Sequence, residues 1–267
     1  MMNTGYGAPV PSTNGLLTTV AYKLGGGGDN QVAYALEGSV AFSGSVLQWL
    51  RDQLQIISSA SESEELAKSL QSNDGLYFVP AFAGLFAPYW RDDARGCILG
   101  MTASHTKAHI VRAALESSAY QARDLFDAMY EDSGTRLVVL KVDGGGTKNN
   151  FLMQFQSDMI DVPVVAPKVT ETTAIGAAFA AGLAVGVWES LDEIQSLWAL
   201  DKHWEPKMDK VDRERYWKGW KKSVKKSFGW TKDVEDEPSP LNRFNLAIAI
   251  IGSIGIGMLI GSRWTRK

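Results

Sequence analysis

The sequence predicts an α/β fold closed by a membrane-spanning C-terminal helix. Three observations carry this. Apolar runs of strand length, residues 76–82 (LYFVPAF) and 137–142 (LVVLKV), end near glycine and alternate with segments of helical period. The longest such segment, residues 107–131, places Ile110, Ala114, Leu115, Ala119, Leu125, Phe126 and Met129 on one stripe. Near the C-terminus, residues 244–261 (FNLAIAIIGSIGIGMLIG) carry no charge at all.

Composition narrows the function classes. With 267 residues and 45% apolar content the chain can bury a sizeable core, as one large domain or two small ones. The balance of 27 Lys+Arg against 30 Asp+Glu, net −3, excludes a nucleic-acid binder. The single cysteine, Cys97, excludes a disulfide framework and a Cys-rich zinc site, and suits a reducing compartment. Residues 1–5 (MMNTG) are polar and show no signal-peptide core, so an intracellular protein is expected.

The elements follow in order. Residues 16–24 (LLTTVAYKL) and 32–39 (VAYALEGS) flank Gly25–Gly28 with Asp29 and Asn30, and read as a hairpin. Its glycines lack the strand-to-helix context of a phosphate loop, so a flexible turn is favoured. Ser43 stands as N-cap of a helix to about Leu54 that carries Gly44 and Gln48. Ser61 and Ser63 with Glu64 and Glu65 open a short helix to about Leu70. The apolar run 76–82 reads as a strand buried on both faces, followed by a long loop over 83–96 (AGLFAPYWRDDARG). Thr106 caps the longest helix. The run 137–142 breaks at Asp143-Gly144-Gly145-Gly146-Thr147, with a helix from Asn149; residues 162–165 form a strand, and Thr173 opens a helix of small residues. Six of the nine tryptophans fall within 188–230, which marks a change of composition. There Lys218, Lys221, Lys222 and Lys225 share one helical face while Trp217, Trp220 and Val224 share another. A surface helix docked by its tryptophans is favoured over one lying on a membrane. An acidic, Pro-containing linker (DVEDEPSP, 233–240) follows. The expected organisation is a folded lobe over 1–230, a linker over 231–243 and a span over 244–261.

As a helix that span would be about 27 Å long, near the hydrocarbon thickness of a bilayer. Arg243 precedes it; Arg263, Arg266 and Lys267 follow; and Gly257 and Gly261 form a G-x-x-x-G pair. A tail anchor is expected, in the mitochondrial outer membrane with the lobe facing the cytosol; the alternative is a buried helix in a cytoplasmic protein.

For chemistry, the strand–glycine turn–helix at 143–149 lets backbone N–H groups approach a nucleotide. It matches neither G-x-x-x-x-G-K-[ST] nor G-x-G-x-x-G, since Asn149 takes the third glycine position. A packing turn would need glycine equally. His105 and His109 have ligand spacing but no adjacent Glu, so they read as an ordinary helix start. Asp92-Asp93 beside Trp90 reads as a solvated loop rather than an acid/base pair.

These stretches together resemble the C-terminal half of a glycerol kinase, of the FGGY family of sugar kinases. The matching residues are NTG at 3–5, NGLLTT at 14–19, YALEGSV at 34–40, QWLRD at 48–52, VPAFAGL at 79–85, APYW at 87–90 and ARG at 94–96. VDGG at 142–145, NNFLMQFQSD at 149–158 and ETTAIGAA at 171–178 continue the match, and the family signature runs from Gly96 to Glu116. The resemblance implies an actin-like, ribonuclease-H-like lobe closing over ATP, with Mg2+, and phosphoryl transfer to glycerol giving glycerol 3-phosphate. It implies that Gly44, Gln48, Gly145 and Asn149 contact the nucleotide, that no catalytic residue lies in this chain, and that the general-base aspartate lies upstream of Met1. Asp143 belongs to the turn and is not that base. A fragment, inactive without an N-terminal lobe, is expected; so are a homo-oligomer and contact with the bilayer. The rivals are a membrane-tethered, non-catalytic scaffold and a kinase for another polyol.

Overall fold

The computed structural model describes residues 1–23 and 32–232. The chain divides into a compact unit, Met1–Phe228, and a second unit, Gly229–Lys267. Of the second unit only a turn is described, closed by Lys232 N–H donating to Gly229 O at 3.1 Å.

The first unit opens with an antiparallel sheet in the order β1-β3-β2, made of β1 (Met2–Tyr6), β2 (Leu17–Lys23) and β3 (Val32–Glu37). The β2–β3 pairing is the expected one; the glycine turn between them lies outside the described residues. Polar β1 was not anticipated. It joins β3 through a bulge at Gly5, whose φ of +90° suits glycine and whose N–H donates to Asn3 Oδ1 at 2.7 Å.

Helices α1 (Gly44–Asp52) and α2 (Glu62–Lys68) follow. The run 76–82 contributes only three residues to a strand, β4 (Tyr77–Val79), which pairs antiparallel with β5 (Cys97–Leu99). The expected loop folds back on itself where Leu85 and Arg91 exchange backbone hydrogen bonds at 2.8 and 2.9 Å.

Helix α3 (Lys107–Ser133) is the spine. Ala114, Leu115, Ala119, Leu125 and Met129 of the expected stripe are buried. At its start Thr106 N–H donates to His109 Nδ1 at 3.1 Å, and His109 Nε2 lies 3.2 Å from Asp74. His109 is therefore part of the cap, as the ordinary helix-start reading requires. The helix stops at Gly134, in the left-handed conformation at φ +68°.

The last layer contains β6 (Leu140–Lys141), a 3-10 helix (Gly145–Lys148), α4 (Asn150–Ile160), β7 (Val164–Pro167), α5 (Thr172–Val185), α6 (Leu191–Leu197), β8 (Leu200–Trp204) and α7 (Lys210–Lys226). Strand β7 is the centre of a mixed sheet, parallel to β6 and antiparallel to β8. Helix α4 covers this sheet with Met153, Leu152 and Ile160 against Val164, Ala166 and Trp204. Helix α7 docks by its aromatics, as expected: Trp220 is fully buried and stacks on Tyr120 at 5.2 Å.

The membrane-spanning part of the expected fold class is corrected. No helix among the described residues is long and apolar enough to cross a membrane. The apolar helix α5 has only 14 residues, well short of the roughly 20 a span requires. Residues 244–261 lie outside the described residues, as does the linker 233–240. The bilayer contact and mitochondrial placement rested on that segment alone, and nothing among the described residues supports them.

Asp124 ties α3, α7 and the 83–96 loop together. Its carboxylate, 1% exposed, accepts from Tyr89 Oη and Lys221 Nζ at 2.7 Å and from Trp220 Nε1 at 2.8 Å. Burial and this carboxylate push the Tyr89 phenol far up, so it stays a donor. Asp124→Ala strands three donors, one of them charged, and is expected to cost about 3–5 kcal/mol in urea unfolding. Lys221→Met, at a half-exposed position, is expected to cost less than half of that.

Candidate functional site

The glycine turn is built at the end of β6. Gly144 sits at φ +78°, ψ −176°, where a side chain is strained. Its N–H donates to Thr170 O at 3.0 Å, and Asp143 accepts from the Thr172 hydroxyl, so the turn is tied to the start of α5. Thr147 is buried and its Oγ1 donates to Gly144 O at 2.8 Å, closing the turn from within. Gly145 and Gly146 face outward. A Cβ on either would meet nothing within 4 Å, and neither N–H is hydrogen-bonded among the described residues. Protein packing therefore does not demand glycine here, and the backbone is open to a ligand.

Asn149 works inside the fold. It is the N-cap of α4, with Oδ1 accepting from Leu152 N–H at 2.9 Å, while Nδ2 donates to Ser63 Oγ at 3.2 Å on α2. Beside it Asn150 donates its N–H and Nδ2 to the Glu64 carboxylate at 3.0 and 3.3 Å. Although burial opposes it, bonds from Lys68 and Asn150 hold the Glu64 carboxyl below its ordinary pKa. A carboxylate thus already occupies the positive end of the α4 dipole. Among the described residues the 3-10 turn keeps two free donors in succession, whereas the Asn150 and Leu152 N–H groups of α4 are taken.

Gly44 and Gln48 lie on the first two turns of α1, both exposed. Space around Gly44 is open, and the Gln48 amide has no hydrogen-bond partner among the described residues. Ser43 holds the N-cap position without capping; its hydroxyl donates instead to Ser118 Oγ at 3.0 Å on α3, which corrects the expected cap.

Helix α2 contacts both the α1 cluster and the start of α4. Its Leu66 packs in one cluster with Val46 and Leu50 of α1 and Val111 of α3, while its Ser63 and Glu64 hold Asn149 and Asn150. Its first turn is pinned by Glu62, which accepts from Ser58 N–H at 2.7 Å and Ser58 Oγ at 2.8 Å and pairs with Lys107 at 3.2 Å. Arg112 closes its other end, donating to Ala67 O at 3.3 Å and Leu70 O at 2.5 Å. Sequence reading places Ser63 and Glu64 only at the start of a short helix and does not single out Thr172; their bonds to Asn149, Asn150 and Asp143 come from contacts across the chain. Asp93 is 4% exposed and clasps Arg91 at 2.6 Å, which corrects the solvated-loop reading at that position. No group of three His, Cys, Asp or Glu that could hold a metal ion occurs among the described residues.

Residues 2–185 match the model of the C-terminal domain of the FGGY family of carbohydrate kinases. The chain is 56% identical over 233 residues to glycerol kinase 2 of Streptomyces avermitilis, covering 87% of this chain and 45% of that protein. It is 59% identical over 224 residues to the glycerol kinase of Renibacterium salmoninarum, covering 84% and 44%. Its backbone is similar to the crystal structure of Plasmodium falciparum glycerol kinase with ADP, with a TM-score of 0.78 and 42% identity over 84% of this chain and 44% of that one. The chain thus spans a little under half the length of these relatives.

The grip on α2 is pH-dependent. Hydrogen bonds from Ser58, first its N–H and then its hydroxyl, with Lys107 behind them, lower the Glu62 pKa from 4.5 to about 2. A depressed carboxylate stabilises the fold above its unfolded pKa, so this contribution is full above about pH 4.5 and fades as pH falls toward 2. A carbon-13 NMR titration is expected to place the Glu62 midpoint near 2, and Ser58→Ala to move it upward.

Proposed function

The chain belongs to the FGGY family of carbohydrate kinases, and on that premise we propose that residues 1–230 form the ATP-binding C-terminal lobe of an actin-like glycerol kinase. The reaction is transfer of the ATP γ-phosphoryl group to a terminal hydroxyl of glycerol, giving ADP and glycerol 3-phosphate. The observation that carries this reading is the open backbone at Gly145 and Gly146, with two unpaired N–H groups at the end of a strand.

Each residue then has a task. The N–H groups of Gly145 and Gly146 donate to nucleotide oxygens, and the missing side chains let the ligand come within hydrogen-bond distance. Gln48, with no partner of its own, offers donors and an acceptor from α1, and Gly44 leaves space beside it. Asn149 fixes the turn with Oδ1 and one Nδ2 hydrogen, and its second Nδ2 hydrogen is left for the ligand. Mg2+ arrives with the triphosphate and offsets the charge of the transferring phosphoryl group. The glycerol site and the group that takes the hydroxyl proton belong to the part of the relatives' length that this chain does not span. Neither homo-oligomerisation nor bilayer contact has support among the described residues.

Titration of the purified chain with ATP tests the site. Gly145→Val is expected to weaken ATP at least about tenfold and Gln48→Ala about threefold to tenfold. Gly145→Val is expected to keep its urea midpoint, since nothing packs on that position, whereas Asn149→Ala is expected to lose about 1 kcal/mol of stability with its cap. Unchanged ATP affinity in both Gly145→Val and Gln48→Ala would contradict the assignment. The chain alone is expected to show no glycerol phosphorylation; turnover at ordinary kinase rates of about 1–100 s−1 would contradict the division of labour.

A further inference from the structure

A second site is built between the β4–β5 pair and α7. A cavity of about 370 Å3 there adjoins another of about 340 Å3, and the two share Gly75 and Tyr77. Glycine makes the trough possible. A Cβ at Gly219 of α7 would collide with the Tyr77 ring and hydroxyl, and one at Gly100, which sits at φ +87°, would collide with Gly75 O. The wall is apolar, formed by the Tyr77 ring and Leu99, and the rim carries Lys222 and Lys226. Arg215 lines the adjoining cavity, and the spacing 215, 219, 222, 226 puts all four positions on one helical face.

The charge at this rim is uncompensated among the described residues. Helix α7 has eight Lys or Arg against two Asp or Glu, in a chain of net charge −3. Two other cations of the helix are paired, Lys221 with Asp124 at 2.7 Å and Arg213 with Asp161 at 2.7 Å, while Lys210, Lys218 and Lys225 make no ion pair among the described residues and do not line the cavity. Arg215 is bonded to Asp212 at 2.7 Å. Lys222 and Lys226 make no ion pair among the described residues, and no carboxylate lines the larger cavity. Asp74, in the smaller one, is engaged by His109 and the Ser72 hydroxyl. Burial, with Glu116 adding to it, pushes the Tyr77 phenol up to about 12, so it adds no negative charge at neutral pH.

We propose that this trough binds a phosphomonoester, with the phosphate between Lys222 and Lys226 and the organic body against Tyr77 and Leu99. Two ammonium groups one turn apart match a dianion better than a single carboxylate. The apolar wall selects for a body beyond the phosphate itself, and the volume is at the lower end for small-molecule sites.

Phenyl phosphate is the probe, titrated into the full chain by calorimetry, with inorganic phosphate alongside. Saturable binding with a Kd below about 1 mM is expected for phenyl phosphate, and about tenfold weaker binding for inorganic phosphate. Lys222→Glu with Lys226→Glu is expected to weaken phenyl phosphate at least about tenfold. Lys218→Glu with Lys225→Glu makes the same charge change on the same helix outside the cavity, and is expected to leave the Kd within about twofold. All four positions are on a surface helix, and circular dichroism checks that each variant is folded. Gly145→Val is expected to bind phenyl phosphate like the parent chain, which separates this site from the glycine turn. Absence of saturable binding, equal losses in the two double variants, or equal affinity for the two probes would each overturn the proposal.

Discussion

The arrangement around the glycine turn depends on one buried ion pair, Arg112 with Glu116, at 2.8 Å on α3. Burial raises the Glu116 pKa even against Arg112, so the carboxylate needs every donor it receives. It takes two more, from Asn73 Nδ2 at 2.8 Å and Tyr120 Oη at 3.2 Å. Arg112 in turn donates to Ala67 O and, just past the end of α2, to Leu70 O. With its C-terminal end fixed this way and its first turn pinned at Glu62, α2 delivers Ser63 and Glu64 to the start of α4. Loss of either partner would leave a bare charge in the interior and release α2 as well.

This placement decides which backbone groups remain open. Glu64 and the Asn149 side chain satisfy the Asn150 and Leu152 donors of α4, and the Glu64 carboxylate opposes a second anion at that helix end. One turn upstream, Gly145 and Gly146 keep free N–H groups because the 3-10 geometry directs them outward and Thr147 closes the turn from inside. The site is thus a short open stretch of backbone in a frame held by the Asn149, Asn150 and Thr147 hydrogen bonds. That is the pre-organisation a nucleotide contact needs, since few of these groups must move on binding.

Much of the frame was legible in the sequence, and the losses have physical reasons. The α3 stripe could be read because one helix spans a core that needs one continuous apolar face. The turn at 143–147 could be read because three successive glycines have few uses. Strand β1 escaped because MNTGY has no apolar alternation; its pairing is held by backbone and a bulge at Gly5. Strand β8 was hidden in a tryptophan-rich stretch, and of its residues only Trp204 is buried. The run 76–82 suggested a longer strand, but Pro80 cannot donate to a ladder and the chain turns away after Val79. At the site, Gly44, Gln48 and Gly145 are exposed and open, as a ligand contact requires. Asn149 differs, because an asparagine before a helix is first a cap, and its second bond goes to a serine 86 residues away that local sequence does not reveal.

The most direct test of the account is residue-resolved: amide nitrogen NMR of the chain with ATP added in steps. The account predicts that the Gly145 and Gly146 N–H resonances shift most, with the Gln48 side-chain amide moving at the same ATP concentration, while the Asn150 and Leu152 N–H resonances, already bonded to Glu64 and Asn149, move little. Shifts centred on the α4 amides, or none at 145 and 146 at saturating ATP, would contradict it.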